Sequence, residues 1–430
     1  MWVKRIVLFF FYFLFFTVLS AQNLDDEILI TSSKLINNQL SGGATHIITK
    51  DDILNYTGES LPQIISKLPG VEFKSLYDTG FGAYESIDIR GFADTAKSNT
   101  LILLNGQKLS NIDLSFVDFL TIPTDSVQRI EVIKGNSASV LYGGNATAGA
   151  VNIITDQLPG FEDDYTLSAT VGSYGKFESF ISGTQSFDNF SITGSSNYLV
   201  SDGYRRNNGL RQKNGNLEFN GFYNEKTSFH LNLVAHDQYI ELPGDVPVNA
   251  FSSSPLNGLD GFKVDPRSTD TPEDFATNYG QKIFFSSTFY PNNNFELIND
   301  GSYRFNKSQG FYFQDSLTDT GMDVISYNPK IKLKHSFAEL SFETITGLDS
   351  SYTYYRSDRM PNTGGYTKQV YKFSDTNLGI YFNTESKLDS SNKIGVGFRL
   401  QGNWLKASDF IGPASGANRN NNSDSLTYDP

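Results

Sequence analysis

A small mixed α and β domain followed by an antiparallel transmembrane β-barrel is the fold class that the 430-residue sequence predicts. Three observations carry it. An export signal opens the chain; no later apolar segment is long enough to cross a membrane as a helix; and from Tyr165 onward the hydrophobic rhythm becomes an alternation of period two.

The export signal comes first. Met1-Trp2-Val3-Lys4-Arg5 places two positive charges ahead of an apolar run from Ile6 to Leu19, and Ser20-Ala21 supplies small residues for cleavage. This pattern predicts a secretory signal peptide over residues 1–21. The run is too short for a membrane anchor, which needs about 20 apolar residues. The sequence has no cysteine, so the exported chain carries neither a lipidated cysteine nor a disulfide.

Composition alone leaves two exported all-β forms open, a secreted sandwich array and an outer-membrane barrel. Phe (35), Tyr (23) and Gly (37) are abundant at only 38% hydrophobic residues. In lipid, a β structure must close to satisfy its backbone. The net charge of -13 argues against nucleic acid as a partner, because phosphates demand a basic surface.

Residues 22–40 are polar and without aromatics, interrupted mainly by Glu27-Ile28-Leu29-Ile30-Thr31, and read as a flexible tether. Residues 41–158 read as one compact α+β domain. Within it, Leu61 to Leu68 fits a helix ending at Pro69-Gly70, and Ile87 to Arg90, Leu101 to Leu104, Arg129 to Ile133 and Val151 to Thr155 fit strands. Asn105-Gly106 marks a tight turn, and Gly143, Gly144 and Gly149 mark close backbone packing.

Residues 161–430 read as barrel strands. Tyr165, Leu167, Ala169 and Val171 share one face, as do Phe229, Leu231, Leu233 and Ala235, and Ile394, Val396, Phe398 and Leu400. Gly395, Gly397 and Arg399 fall on the opposite face, as the lumen of a barrel requires. About eleven such stretches occur by Gln401, many long enough for the roughly 9–11 residues of a tilted membrane strand. A sandwich favours strands of about five or six. Asn224 to Thr227 is a tight turn, whereas a long connection lies between His236 and Ile283. With long loops facing outward, Glu241 to Gly280 is expected to be extracellular and Asn224 to Thr227 periplasmic.

Several blocks resemble one family closely. Leu61-Pro62-Gln63-Ile64-Ile65-Ser66-Lys67-Leu68-Pro69-Gly70-Val71, Ile87-Asp88-Ile89-Arg90-Gly91-Phe92 and Leu103-Leu104-Asn105-Gly106 are followed by Ile130-Glu131-Val132-Ile133-Lys134-Gly135, Leu141-Tyr142-Gly143 and Gly149-Ala150-Val151-Asn152-Ile153-Ile154-Thr155. In order and spacing these resemble the plug domain of TonB-dependent outer-membrane receptors. Glu27, Ile28, Leu29, Ile30 and Thr31 resemble the TonB box, a segment that would pair its backbone with a sheet edge of TonB. The resemblance implies that the plug sits within the barrel, that Arg90, Arg129 and Glu131 pair with charges on the barrel wall, and that the protein lies in the outer membrane of a Gram-negative bacterium. The bland alternative for those three charges is pairing within the plug.

The resemblance further implies active import of a scarce, large ligand, most often a ferric siderophore, otherwise cobalamin or haem, with TonB and its inner-membrane complex as the energising partner. A passive porin or adhesin is the alternative of a different class, and residues 27–31 and 41–158 argue against it. Tyr77, Phe81, Tyr84, Asp94 and Lys97 are the plug residues expected to meet ligand, because exposed rings can stack on it. No resident cofactor, metal or catalytic group is expected. The four histidines, His46, His230, His236 and His335, are scattered, and His230 and His236 fall on the lumen face of one strand. The glycines from Tyr142 to Gly149 lack the following Gly-Lys-Ser or Gly-Lys-Thr of a phosphate loop.

Barrels that hold a plug have about 22 strands, so residues 161–430 supply about half and are expected to leave the barrel incomplete. The polar run Asn420 to Pro430 is expected to be loop, as though the chain broke off within an extracellular connection of a longer protein.

Overall fold

The computed structural model describes residues 44–429 apart from residues 57 and 136 and the segments 77–81, 156–161, 247–266, 313–315, 338–339, 362–367, 389–391 and 413–418. The expected signal peptide, tether and TonB box therefore lie outside the described residues, as do Tyr77 and Phe81.

The plug begins with strand β1 (Ala44–Thr49) and helix α1 (Lys50–Leu54), whose capping box is built by Thr49 and Asp52. Helix α2 (Leu61–Ile65) opens with a second capping box, Ser60 with Gln63, and Pro62 near its N-terminus. It is shorter than the sequence suggests. Lys67 and Leu68 instead close tight turns onto Ile64 and Ile65 ahead of Pro69. Strands β2 (Val71–Ser75) and β3 (Glu85–Ile89) form a two-stranded ribbon. After helix α3 (Ala96–Asn99) come β4 (Thr100–Leu104), β5 (Gln107–Lys108), β6 (Arg129–Lys134), helix α4 (Ser137–Tyr142) and β7 (Gly149–Ile154). The main sheet runs β1-β6-β7-β4-β5.

The core follows from those patterns. Ile64, Ile65, Ile89, Ile130, Val132, Val151 and Ile153 are all but fully enclosed. Asn105 (φ +50°) and Gly106 (φ +75°) make the turn between β4 and β5, both in the left-handed region. The Asn105 amide also donates to the Thr155 hydroxyl at 3.0 Å. Arg90 departs from the strand expected for it. At φ +71° it ends β3 and turns the chain towards Gly91.

Twelve antiparallel strands follow, β8 (Asp164–Val171), β9 (Phe177–Ser186), β10 (Phe190–Ser201), β11 (Leu210–Asn224), β12 (Thr227–Glu241), β13 (Phe275–Asn292), β14 (Phe295–Tyr312), β15 (Ser316–Phe337), β16 (Leu340–Pro361), β17 (Lys368–Lys387), β18 (Lys393–Gly412) and β19 (Arg419–Asp429). Each pairs with its neighbour in sequence order from β8 to β19. Among the described residues these two end strands pair on one side only, so the sheet is open and holds about half of the roughly 22 strands of a plugged barrel. Eleven strands have begun by Gln401, as the alternation predicts.

The period-two alternation becomes two faces. Leu167 and Val171 are about 80% exposed on the outer face, and Ile394, Val396, Phe398 and Leu400 about half exposed. Ser168 and Gln401, one residue out of phase, reach the plug. Because side chains from β8, β11, β13, β14, β15 and β18 all contact it, the sheet must curl around the plug. His230 and His236 both face inward, His230 against Asn220 and Phe284 and His236 against Asn306.

Connections differ at the two ends of the sheet. Residues 187–189, 225–226 and 293–294 are tight turns, whereas 202–209 and 242–274 span the opposite end. The long connection is narrower than Glu241 to Gly280, because the period-two pattern of β12 and β13 carries both strands beyond the apolar stretch. The tail expected to be loop is also strand: β19 pairs with β18 from Ile411↔Arg419 to Gln401↔Asp429. The reason is that the β18 edge offers a complete ladder of backbone groups, and pairing to it asks little of side-chain chemistry.

Candidate functional site

The plug's loops converge on the end of the sheet that carries the long connections. Two loop segments form this apex. One reaches Tyr84, held at φ +53°; the other runs from Ser110 to Asp118. The second segment is fixed by its own short polar side chains. Asn111 donates its amide to the Ser115 hydroxyl at 2.8 Å, and the Ser115 backbone N–H donates to Asp113 at 3.1 Å. Asp118 then accepts the Leu120 N–H at 3.1 Å, capping the turn Phe119–Thr121. Tyr84 packs edge-on to Phe116, with ring centroids 6.0 Å apart.

Between this apex and the wall lies a cavity of about 470 Å³. The wall contributes Gln238 and Ile240 from β12, Asn278 from β13, Tyr312 from β14, Thr320 from β15 and Arg359 from β16, among others. Its floor is where plug and wall are joined, Asn278 donating to Asp118 at 3.2 Å; beside it on the wall, His236 meets Asn306 at 3.1 Å. Burial pushes the Asp118 carboxyl above the usual carboxylate range, opposed by the His236 ring and by hydrogen bonds from Asn278 and Gln238.

Below the apex, the plug is held mostly by neutral groups. The Gln107 carbonyl oxygen accepts from Ser326 at 2.9 Å and Asn328 at 3.1 Å, Asn214 donates to the Leu120 carbonyl at 2.9 Å, and Arg304 donates to the Leu109 carbonyl at 2.9 Å. Two apolar patches join the same surfaces. Leu141, Tyr142 and Ala146 pack with Ile345 and Tyr381, and Ala83 and Leu120 pack with Leu199, Leu210 and Ile240. A second cavity of about 810 Å³ runs alongside, from Gln107 and Asn145 to Asp349 and Arg399.

The residues expected from sequence scatter around this arrangement. Tyr84 lines the apex cavity. Lys97 lies beside it, its ammonium 4.1 Å from the Phe116 ring. Asp94 points to solvent and pairs with Lys74 at 2.8 Å; that hydrogen bond holds the carboxyl below its usual range and lifts the Lys74 ammonium. Arg129 and Glu131 pair with each other at 3.2 Å within β6. Fully buried Glu131 also accepts from Asn152 at 3.1 Å and stands within electrostatic reach of Lys332 on the wall. The Arg90 guanidinium lies over Gly135, another plug residue.

Sequence reasoning missed the segment Asn111 to Asp118 and all of the wall positions. The alternation of Asn, Asp and Ser with apolar residues there is a turn signature and was the available signal. The wall residues gave none, since polar, small and apolar side chains alike occupy inward positions and nothing in the sequence shows which of them face the cavity. Among the described residues no group of three His, Asp or Glu side chains could hold a metal ion.

Residues 37–150 match the family described as the TonB-dependent Receptor Plug Domain. Over 132 residues the chain is 33% identical to the Vitamin B12 transporter BtuB of Photobacterium profundum, covering 31% of this chain and 20% of that protein. The BtuB of Vibrio cholerae serotype O1 is 35% identical over 127 residues, again 20% of its length. Two solved structures share the fold across 90% of this chain: the ferric yersiniabactin uptake receptor FyuA from Yersinia pestis (TM-score 0.71, 12% identity, 61% of that chain) and the closed ferric-catecholate import receptor Fiu from E. coli K12 (TM-score 0.70, 16% identity, 63% of that chain). The chain thus matches a fifth of its curated relatives' length and under two thirds of these receptors.

Proposed function

We propose that the chain, with the plug and part of the barrel of a TonB-dependent outer-membrane receptor, serves active import of a large, scarce ligand, energised through TonB. The observation that carries the reading is the apex cavity, walled by inward residues of β12 to β16 and floored by a docked plug. Ligand bound there is separated from the periplasm by the plug, so passage needs work done on it. That work would arrive through Glu27 to Thr31, which lie on the N-terminal side of β1 in sequence. A passive porin has no use for either part.

Two ligand classes satisfy this reading. A ferric siderophore accords with FyuA and Fiu, receptors for ferric yersiniabactin and for ferric catecholate, and cobalamin with the Vitamin B12 transporters, 33% identical over 132 residues in one case. The test of import is Ile30→Pro. Proline removes a backbone donor and fixes φ, so it should abolish uptake while leaving ligand binding at the cell surface intact. A panel of iron chelates, cobalamin and haem identifies the substrate to follow. Uptake at the wild-type rate in the variant would sink the coupling assignment.

A further inference from the structure

The apex cavity has a chemistry of its own. Among the described residues lining it, one cation, Arg359, stands against the exposed carboxylate of Asp113, while the second acid, Asp118, is tied up at the floor by Asn278 and the Leu120 N–H. Arg359 also lies 5.5 Å from the centroid of the Tyr371 ring, whose face attracts the guanidinium. The remaining polar surface is uncharged, with Gln238, Asn278, Asn306, Thr318, Thr320 and Ser357 as examples. Tyr84, Phe116, Tyr312 and Tyr355 add ring surface. We infer that this cavity selects a large ligand without net negative charge, rich in amide or hydroxyl groups and carrying an apolar face. The inference rests on the import reading and narrows its substrate.

The physical argument is one of complementarity. Uncharged donors and acceptors in a half-enclosed cavity satisfy amides and hydroxyls at little cost in desolvation, and rings cover an apolar face. A polyanionic chelate fares worse. Multiply charged oxygens are held by clusters of Arg and Lys, which give short, charge-assisted hydrogen bonds. Here a chelate would meet the Asp113 carboxylate and, among the described lining residues, no cluster of cations, and like charges brought together act against binding and against approach. Asp113 is the sharper of the two: the Ser115 N–H holds one of its oxygens, and Tyr355 on the wall also reaches this carboxylate. It therefore stands between the apex and the wall, where a ligand must fit.

The experiment measures binding to receptor in isolated outer membranes with three bulky probes: cyanocobalamin, a neutral ferric trihydroxamate and a triply anionic ferric tris-catecholate. At least one neutral probe should bind more than about tenfold tighter than the anion, a difference of about 1.4 kcal/mol. Asp113→Lys, a change at an exposed position, should move that ratio towards the anion by about tenfold or more, while Asp113→Asn moves it less. Tightest binding by the tris-catecholate, or a ratio unmoved by Asp113→Lys, overturns the inference and leaves the import reading standing. Binding of none of the three overturns the ligand class, and the Ile30→Pro uptake assay then judges import separately.

Discussion

Gly143 shows how one residue can set the distance between two domains. It lies at φ +82°, just beyond α4, and a Cβ built there would come within 2.2 Å of Gln401 Oε1 and 2.7 Å of Arg399 Nη2 on the wall. Neither neighbour moves freely. Arg399 is tied to Asp349 at 2.8 Å and to Gln401 at 2.9 Å, and Gln401 in turn accepts the Gly144 N–H at 3.4 Å. Gly58 is the natural control, with φ +91° but nothing within 4 Å. Gly58→Ala should cost only the left-handed backbone penalty, about 1–2 kcal/mol. Gly143→Ala should add an overpacking cost of about 1–3 kcal/mol. Thermal unfolding of the two variants in detergent checks this, and equal losses would show that plug and wall do not press together at this point.

At the scale of elements, the connection between β12 and β13 is held at its stems by the shorter connection 202–209. The Arg205 guanidinium donates to the carbonyls of Gly244 at 2.6 Å, Asp245 at 2.9 Å and Ser268 at 2.8 Å. Asn207, at φ +54°, donates its amide to Leu242, Thr271 and Asp274. Arg205→Ala leaves these carbonyls to water, and a loss of about 1–2 kcal/mol multiplies the opened population about five- to thirtyfold. Protease added to intact cells should then cut within 242–274 faster than in the parent, because cleavage follows the opened population. Cleavage at Glu225 or Lys226 in the same cells would reverse the assigned topology. Elements of this kind were legible in part. The faces of β8, β12 and β18 follow from period-two alternation, which a buried lumen and a lipid surface both enforce. Arg90 was misread because an apolar-polar rhythm does not announce a positive φ at a non-glycine residue. The apex cavity was not legible, since Tyr84, Asp118, Asn278 and Arg359 meet only once the sheet has curled.

For the whole molecule, the question is how a pull at the N-terminus could open a plug so widely anchored. The sheet order gives an answer, granted the import reading. β1, the first described strand after the tether, lies at the edge of the sheet and among the described residues pairs with β6 alone, from Ala44↔Lys134 to Thr49↔Arg129. Tension entering at Ala44 loads one rung at a time, and each backbone hydrogen bond contributes only about 0.5–1.5 kcal/mol net. The contacts that anchor the plug to the wall sit elsewhere, at Gln107, Leu109, Asp118, Leu120 and Gly144, and would have to yield together. Peeling β1 is therefore the easiest first step. The absence of cysteine from the sequence makes a clean test possible. Paired residues in an antiparallel ladder have Cα atoms about 4.5–5.5 Å apart, within the span a disulfide bridges. Ala44→Cys with Lys134→Cys should lock the first rung, so that tension passes to β6, an interior strand of the sheet. Uptake should fall to background under oxidising conditions, recover with a reductant, and leave ligand binding at the surface unchanged throughout. Full uptake by the cross-linked receptor would show that β1 stays paired during transport and that the plug moves some other way.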